Sequence, residues 1–168
     1  ESRHALRLLS LMLSESASSR LFLELREERG LCYQIGSDVT FFEETGAFEI
    51  SAGLDPESRD EALACIRREI DDLVAHGPRE GELDRAKRLT IAQSKLAFES
   101  TGAHAAWAGE GVLEYGKVPD ISEWRLKILA VTEADVQAVA REVFFGKEPS
   151  VAEIGEASLG MNLREQSY

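Results

Sequence analysis

The sequence is poor in the residues that metal centres and disulfide frameworks require. Its 168 residues include 2 cysteines and 3 histidines. Cys32 and Cys65 set no disulfide framework, and their places in a predicted strand and a predicted helix favour small, buried hydrophobic side chains. None of His4, His76 and His104 is followed by Glu-His, and their spacing fits no common zinc site. We therefore predict that this chain holds no metal ion.

Positive charge and long apolar runs are also scarce. The chain has 19 Lys and Arg against 31 Asp and Glu, for a net charge of −12. This balance argues against nucleic-acid binding, which needs a basic surface. It is compatible with the steering of cationic peptides, although an acidic surface is more often simply solvated. No apolar run reaches the ~18 residues that span a bilayer.

No signal-peptide pattern is present, and the abrupt start at Glu1 is compatible with a fragment that lacks its leader. We expect a soluble protein, for which cytoplasm and periplasm are equally compatible compartments.

The chain does contain many amphipathic segments. Apolar periodicity and capping signals predict a short helix that begins after Ser18 or Ser19 and ends at Gly30. They also predict longer helices over residues 2–13, 56–76, 79–98, 100–116, 122–130 and 132–143. Strands are predicted over residues 33–42, around Phe48–Ala52 after a turn at residues 43–46, and over residues 150–154.

This order of elements predicts an α+β two-layer sandwich, with a mainly antiparallel sheet and helices packed on one face. Two strands cannot stand alone, so the sheet is expected to need further strands. We expect residues 1–156 to form a single domain and residues 157–168 to form a tail.

The stretch from Ser18 to Tyr33 contains the strongest candidate site. Arg26 lies late on the short helix, and Tyr33 opens the strand, on the same face as Ile35 and Val39. A guanidinium and a phenol on adjoining elements can converge on a peptide carbonyl or a developing oxyanion. The simpler interpretation is an exposed Arg26 paired with a nearby glutamate and a Tyr33 half-buried at the strand start.

Ordered motifs resemble the insulinase/pitrilysin/mitochondrial-processing-peptidase family of zinc endopeptidases. The main match is Ser18-Ser19-Arg20-Leu21-Phe22 followed by Leu25-Arg26-Glu27-Glu28-Arg29-Gly30-Leu31-Cys32-Tyr33. Further matches follow in order: Glu82-Leu83, Ala86-Lys87, Glu99-Ser100-Thr101, Tyr115-Gly116-Lys117-Val118 and Val131-Thr132-Glu133-Ala134-Asp135-Val136. The resemblance covers the chain up to about Glu156.

The resemblance implies a C-terminal-type domain without the metal motif. In the family, two α/β halves close over a peptide, and zinc is bound by His-x-x-Glu-His in the other half. Carried over to this sequence, Arg26 and Tyr33 would hydrogen-bond the scissile region of a peptide substrate and support the tetrahedral intermediate. The implied partners are a zinc-bearing domain or subunit and a peptide. The loop at residues 14–17 departs from the family because it lacks glycines.

Three functional interpretations remain open at this point. The first is the substrate-binding domain of a zinc endopeptidase. Since the chain also lacks a Gly-rich phosphate loop and a Gly-x-Ser-x-Gly elbow, it should not hydrolyse peptides by itself. The second is a scaffold or partner-recognition homologue that has lost catalysis. The third is an unrelated α+β binding domain.

Overall fold

The computed structural model describes residues 2–42 and 45–155, apart from the side chain of Glu114. It confirms most of the predicted elements. In chain order these are α1 (Ser2–Leu13), a π-helix (Phe22–Glu28), β1 (Cys32–Phe41), β2 (Gly46–Leu54), a 3₁₀ turn (Pro56–Ser58), α2 (Arg59–His76), α3 (Glu82–Ala97), α4 (Thr101–Tyr115), α5 (Ile121–Ala130) and α6 (Glu133–Phe144). No helix in these ranges is long and apolar enough to cross a membrane.

The sheet is smaller than the sequence predicts. β1 and β2 pair in antiparallel fashion from Phe41 opposite Gly46 to Cys32 opposite Leu54. They form a two-stranded sheet within the described residues. The turn residues Glu43 and Glu44 and the predicted tail at 157–168 lie outside those residues.

The strand predicted at residues 150–154 is wrong. This segment forms no strand, and Val151 and Ile154 are exposed. A salt bridge joins this segment to the start of α2: Arg59 Nε donates to Glu153 Oε1 at 2.7 Å. The α+β class is nevertheless confirmed, since helices pack against one face of the hairpin and bury Ile35 and Val39 there.

The core is built around α1, which is apolar over more than one face. Its Leu8, Leu9 and Leu13 are 0% exposed, and burial of each leucine stabilises the fold by roughly 1.5–3 kcal/mol. One apolar cluster joins α1 to α2, α3, α5 and α6, and a second joins the end of α1 to the π-helix, β1 and α2. Phe48 and Phe144 contact both clusters and meet edge to face, with ring centroids 5.1 Å apart.

The end of α2 and the start of α6 are fixed by hydrogen bonds to otherwise unpaired backbone groups. The predicted capping box of α6 is confirmed: Asp135 N donates to Thr132 Oγ1 at 3.2 Å and Thr132 N donates to Asp135 Oδ2 at 2.8 Å. Gln137 Nε2 then donates to the carbonyl of Ala75 at 2.9 Å. These contacts hold the C-terminal end of α2, on which the candidate site depends.

Helices α4 and α5 meet through aromatic side chains. Trp107 lies edge to face with both Phe98 (5.4 Å between centroids) and Trp124 (5.9 Å). Its indole Nε1 donates to the carbonyl of Pro119 at 3.0 Å. The ring of Pro119 occupies the space that a Cβ on Gly111 would need. The segment that connects α4 to α5 therefore packs directly against α4.

Gly111→Ala is expected to destabilise the chain by about 1–3 kcal/mol, because the added methyl overlaps Pro119. Gly109→Ala is the matched control on the same helix, since, apart from its chain neighbours and its own helix backbone, no atom of the described residues lies within 4 Å of its Cβ position. Gly109→Ala should stabilise the chain by up to about 1 kcal/mol, because alanine favours the helix. Urea denaturation followed by circular dichroism measures both effects, and equal shifts for the two variants would contradict the close packing.

Candidate functional site

Arg20 anchors the start of the candidate site to two other helices. It lies directly after Ser19 and is 3% exposed. Its Nε and Nη2 donate to Glu82 at the start of α3, with the shortest distance 2.7 Å to Oε2. Its Nη1 donates to Asp72 Oδ2 at 3.0 Å, and Nη2 also donates to the carbonyl of Gly77 at 3.1 Å. All three guanidinium nitrogens are therefore engaged.

A second arginine completes this ionic cluster. Arg79 Nη2 donates to Asp72 Oδ2 at 3.0 Å and to Glu69 Oε2 at 2.9 Å, and its backbone N–H donates to Glu82 Oε2 at 2.7 Å. Nδ1 of His76 lies 2.9 Å from Asp72 Oδ1. Partial burial would raise the pKa of Asp72, but the hydrogen bond with His76 and the charges of Arg20 and Arg79 outweigh burial and lower that pKa.

The lowered pKa of Asp72 predicts a specific acid sensitivity. In the unfolded chain an aspartate titrates near pH ~3.9. Since the folded pKa is lower, Asp72 stabilises the fold above about pH 4, and this contribution is lost as the pH falls through the folded pKa. We expect Asp72→Asn to be less stable at pH 7 and to lose less further stability between about pH 5 and pH 3 than the wild type.

Urea denaturation at each pH measures this difference. The neighbouring Asp71→Asn is the charge-matched control, because Asp71 is exposed and forms no ion pair within the described residues. A loss of stability on acidification that is the same in Asp72→Asn and the wild type would contradict the assignment.

The sequence does not distinguish Arg20 as a site residue beyond its place in the family motif. Its carboxylate partners lie 52 and 62 residues further along the chain, so no local spacing indicates them. The local sequence offers one weak signal: Arg20 lies between Ser19 and Leu21, and both of these neighbours are buried in the structure. The expected helix cap also differs, because the Ser19 hydroxyl donates to the carbonyl of Ser16 at 2.6 Å.

Arg26 lies on the π-helix that follows Arg20. Leu25 of this helix is fully buried, whereas Arg26 is exposed and stacks over the ring of Phe22, with Cζ 5.0 Å from the ring centroid. No carboxylate of the described residues pairs with Arg26. The expected pairing belongs to Arg29 instead, whose Nε donates to Glu24 Oε1 at 2.8 Å.

Tyr33 does not lie on the core face of β1, and the sequence prediction was wrong on this point. The register shifts between Cys32 and Gln34, so Tyr33 falls in a β-bulge. Cys32 takes the buried position, and Tyr33 is 69% exposed rather than half-buried. Its ring lies over Gly53, where a Cβ would approach it to 2.5 Å. Bulges of this kind re-aim a side chain.

The positive charge of Arg26 affects the pKa of Cys32, the first residue of β1. Burial raises the pKa of the Cys32 thiol, and the positive charge of Arg26 opposes that rise. Arg26 thus acts electrostatically on the residue that precedes Tyr33. Both cysteines are buried and unpaired, as the sequence predicts.

The described residues do not fit a zinc ion. They contain no group of three or more His, Cys, Asp or Glu side chains close enough to hold a metal. His76 binds Asp72, and the ring of His104 lies 5.0 Å from that of Phe98. His4 is partly buried, which lowers its pKa.

Comparison with known proteins agrees with the motif resemblance. Residues 1–90 match the family described as Peptidase M16 inactive domain. An uncharacterized zinc protease of Streptomyces coelicolor is 36% identical over 155 residues, which are 92% of this chain and 34% of that protein. The chain thus spans about a third of the length of the curated relatives that it matches.

Solved structures share the fold. A conserved protein from Enterococcus faecalis superposes with a TM-score of 0.75 at 26% identity, over 84% of this chain and 33% of that one. The peptidase M16 inactive domain from Pseudomonas fluorescens gives a TM-score of 0.73 at 23% identity, over 85% of this chain and 34% of that one. The interpretation as an unrelated α+β domain is wrong, because the family model matches more than half of the sequence. This chain belongs to the Peptidase M16 inactive domain family.

Proposed function

We propose that this chain is the substrate-contacting domain of a zinc-dependent endopeptidase and that Arg26 and Tyr33 contact the bound peptide. The observation that supports this most is that both side chains are exposed and free of polar partners among the described residues, since neither is held by an ion pair or hydrogen bond to protein. The neighbouring Arg20 and Arg29 are both engaged by carboxylates.

The chemistry of the two groups suits a peptide carbonyl. A guanidinium and a phenol both donate hydrogen bonds, and donors aimed at a developing oxyanion strengthen as charge accumulates there. Because Arg26 forms no ion pair among the described residues, it can bind a peptide without first breaking one. Its stacking on Phe22 leaves the guanidinium edge available to an acceptor.

The zinc ion would belong to another part of the complete protein. Relatives are named zinc proteases and extend well beyond the third of their length that this chain matches. The partners we propose are therefore a zinc-bearing domain or subunit and a peptide substrate. This chain contributes binding and orientation to the reaction.

The test is a peptide-cleavage assay on the complete protein, with Arg26→Ala and Tyr33→Phe compared with Arg59→Lys. We expect loss of activity in the first two variants only. Wild-type activity in both would instead favour a scaffold or partner-recognition role for this domain.

A further inference from the structure

The orientation of Arg26 depends on a helix whose N-terminal end is held by one buried residue. Arg20 lies two residues before the π-helix, and the backbone is continuous between them, with Leu23 N donating to Ser19 O at 3.0 Å. Leu21 and Leu25 are both 0% exposed and pack in the same apolar cluster. Arg20 and Arg26 therefore lie on one continuous helical unit.

The contacts of Arg20 tie this unit to two other helices. They reach Asp72 and the Gly77 carbonyl at the end of α2, and Glu82 at the start of α3. A forked guanidinium satisfies three acceptors with fixed directions, which a lysine ammonium cannot do. This geometry resists both translation and rotation of the unit.

The other polar contacts of the π-helix are weaker. Glu24 accepts from Arg68 Nη2 at 2.7 Å, and Arg29 Nη1 donates to Glu61 at 3.1 Å. The arginine side chains are 52% and 39% exposed, and such surface pairs contribute little. Arg26 itself forms no hydrogen bond or ion pair within the described residues, and its guanidinium lies over the Phe22 ring. Among the polar contacts, those of Arg20 therefore constrain the orientation of the helix that carries Arg26 most strongly.

We propose that Arg20 is a positioning residue for the peptide-contacting Arg26, acting through the π-helix. This inference rests on the proposed function of Arg26. It assigns a role in turnover to a buried ion pair that would otherwise count only toward stability. A shift of about 1 Å in a positioning group can cost up to about 10²-fold in rate.

A double-mutant cycle on the complete protein tests this role. Arg20→Lys keeps the charge but loses the fork, and we expect it to lower kcat about tenfold with KM changed less than about twofold. In an Arg26→Ala background, the same Arg20→Lys change should alter kcat less than about twofold, because the group that it positions is absent.

Three outcomes separate the possibilities. Equal effects of Arg20→Lys in both backgrounds, or no effect in either, would overturn the positioning role while leaving the proposed function intact. Wild-type activity of Arg26→Ala would overturn the proposed role of Arg26, on which this inference rests. If Arg20→Lys does not fold by circular dichroism, Glu82→Gln carries the same cycle, since it removes the charge of the acceptor and keeps its volume.

Arg59→Lys is the matched control. Arg59 also pairs with two carboxylates, Asp60 and Glu153, but is 46% exposed and lies at the start of α2. We expect its kcat and KM to equal those of the wild type in both backgrounds.

Discussion

Arg26→Ala in the complete protein is expected to lower kcat/KM on the order of 10²-fold. The guanidinium forms no ion pair or hydrogen bond within the described residues, so its removal should leave the fold unchanged. What is lost is a donor to the peptide, and such donors contribute most when negative charge develops on the carbonyl oxygen. The assay follows cleavage of a peptide by the purified complete protein.

Tyr33→Phe removes a single hydroxyl and tests the second donor. We expect a loss of similar order, on the order of 10²-fold. The ring should remain over Gly53, so the bulge that aims it should persist. Circular dichroism and zinc content, both expected to equal the wild type, show that neither folding nor metal loading explains the loss.

Arg59→Lys is the control for loss of an arginine fork elsewhere on the domain. If Arg26→Ala and Tyr33→Phe both cleave at the rate of Arg59→Lys, the two side chains do not act on the peptide. The domain would then be better described as a scaffold.

Arg20→Met is expected to destabilise the chain by about 3–5 kcal/mol. The substitution leaves Glu82, which is 8% exposed, with the backbone N–H of Arg79 as its remaining hydrogen-bond donor among the described residues. A buried carboxylate that loses its ion-pair partner is costly, and the carbonyl of Gly77 also loses its donor. Urea denaturation followed by circular dichroism measures the loss.

The double variant Arg20→Met with Glu82→Leu separates the cost of an unpaired charge from the net contribution of the pair. Because it removes both charges, it should recover more than half of the stability that Arg20→Met loses. Arg59→Met, which breaks an exposed pair, should stay within about 0.5 kcal/mol of the wild type. A change below about 1 kcal/mol in Arg20→Met would show that the cluster does not hold the fold together.

Local signals in the sequence predict the helices well. α1 is found at the predicted residues because its apolar run alone identifies a buried helix. The two members of the α6 capping box, Thr132 and Asp135, are only three positions apart, so a local pattern contains both. α3 starts later than predicted, at Glu82 instead of residue 79, because Gly81 takes a left-handed conformation with φ of +75° and the Glu82 carboxylate binds the Arg79 N–H.

Features that depend on distant partners were not predictable. The burial of Arg20 requires acceptors on two later helices, and nothing near it in sequence indicates them. The bulge at Tyr33 shifts the alternation of β1 by one residue, so a period-two pattern assigns Tyr33 to the wrong face. The segment at residues 150–154 has strand-like composition, but a strand also needs a neighbouring strand, which its own residues do not reveal.

The aromatic contact between α4 and α5 also determines what can be learned by fluorescence. The chain has 2 tryptophans, and both Trp107 and Trp124 belong to that contact. Intrinsic tryptophan emission therefore reports on the packing of α4 against α5 and does not report directly on the ionic cluster around Arg20. Unfolding curves from emission and from far-ultraviolet dichroism coincide only if the two regions melt together, so their comparison shows whether the domain unfolds as one cooperative unit.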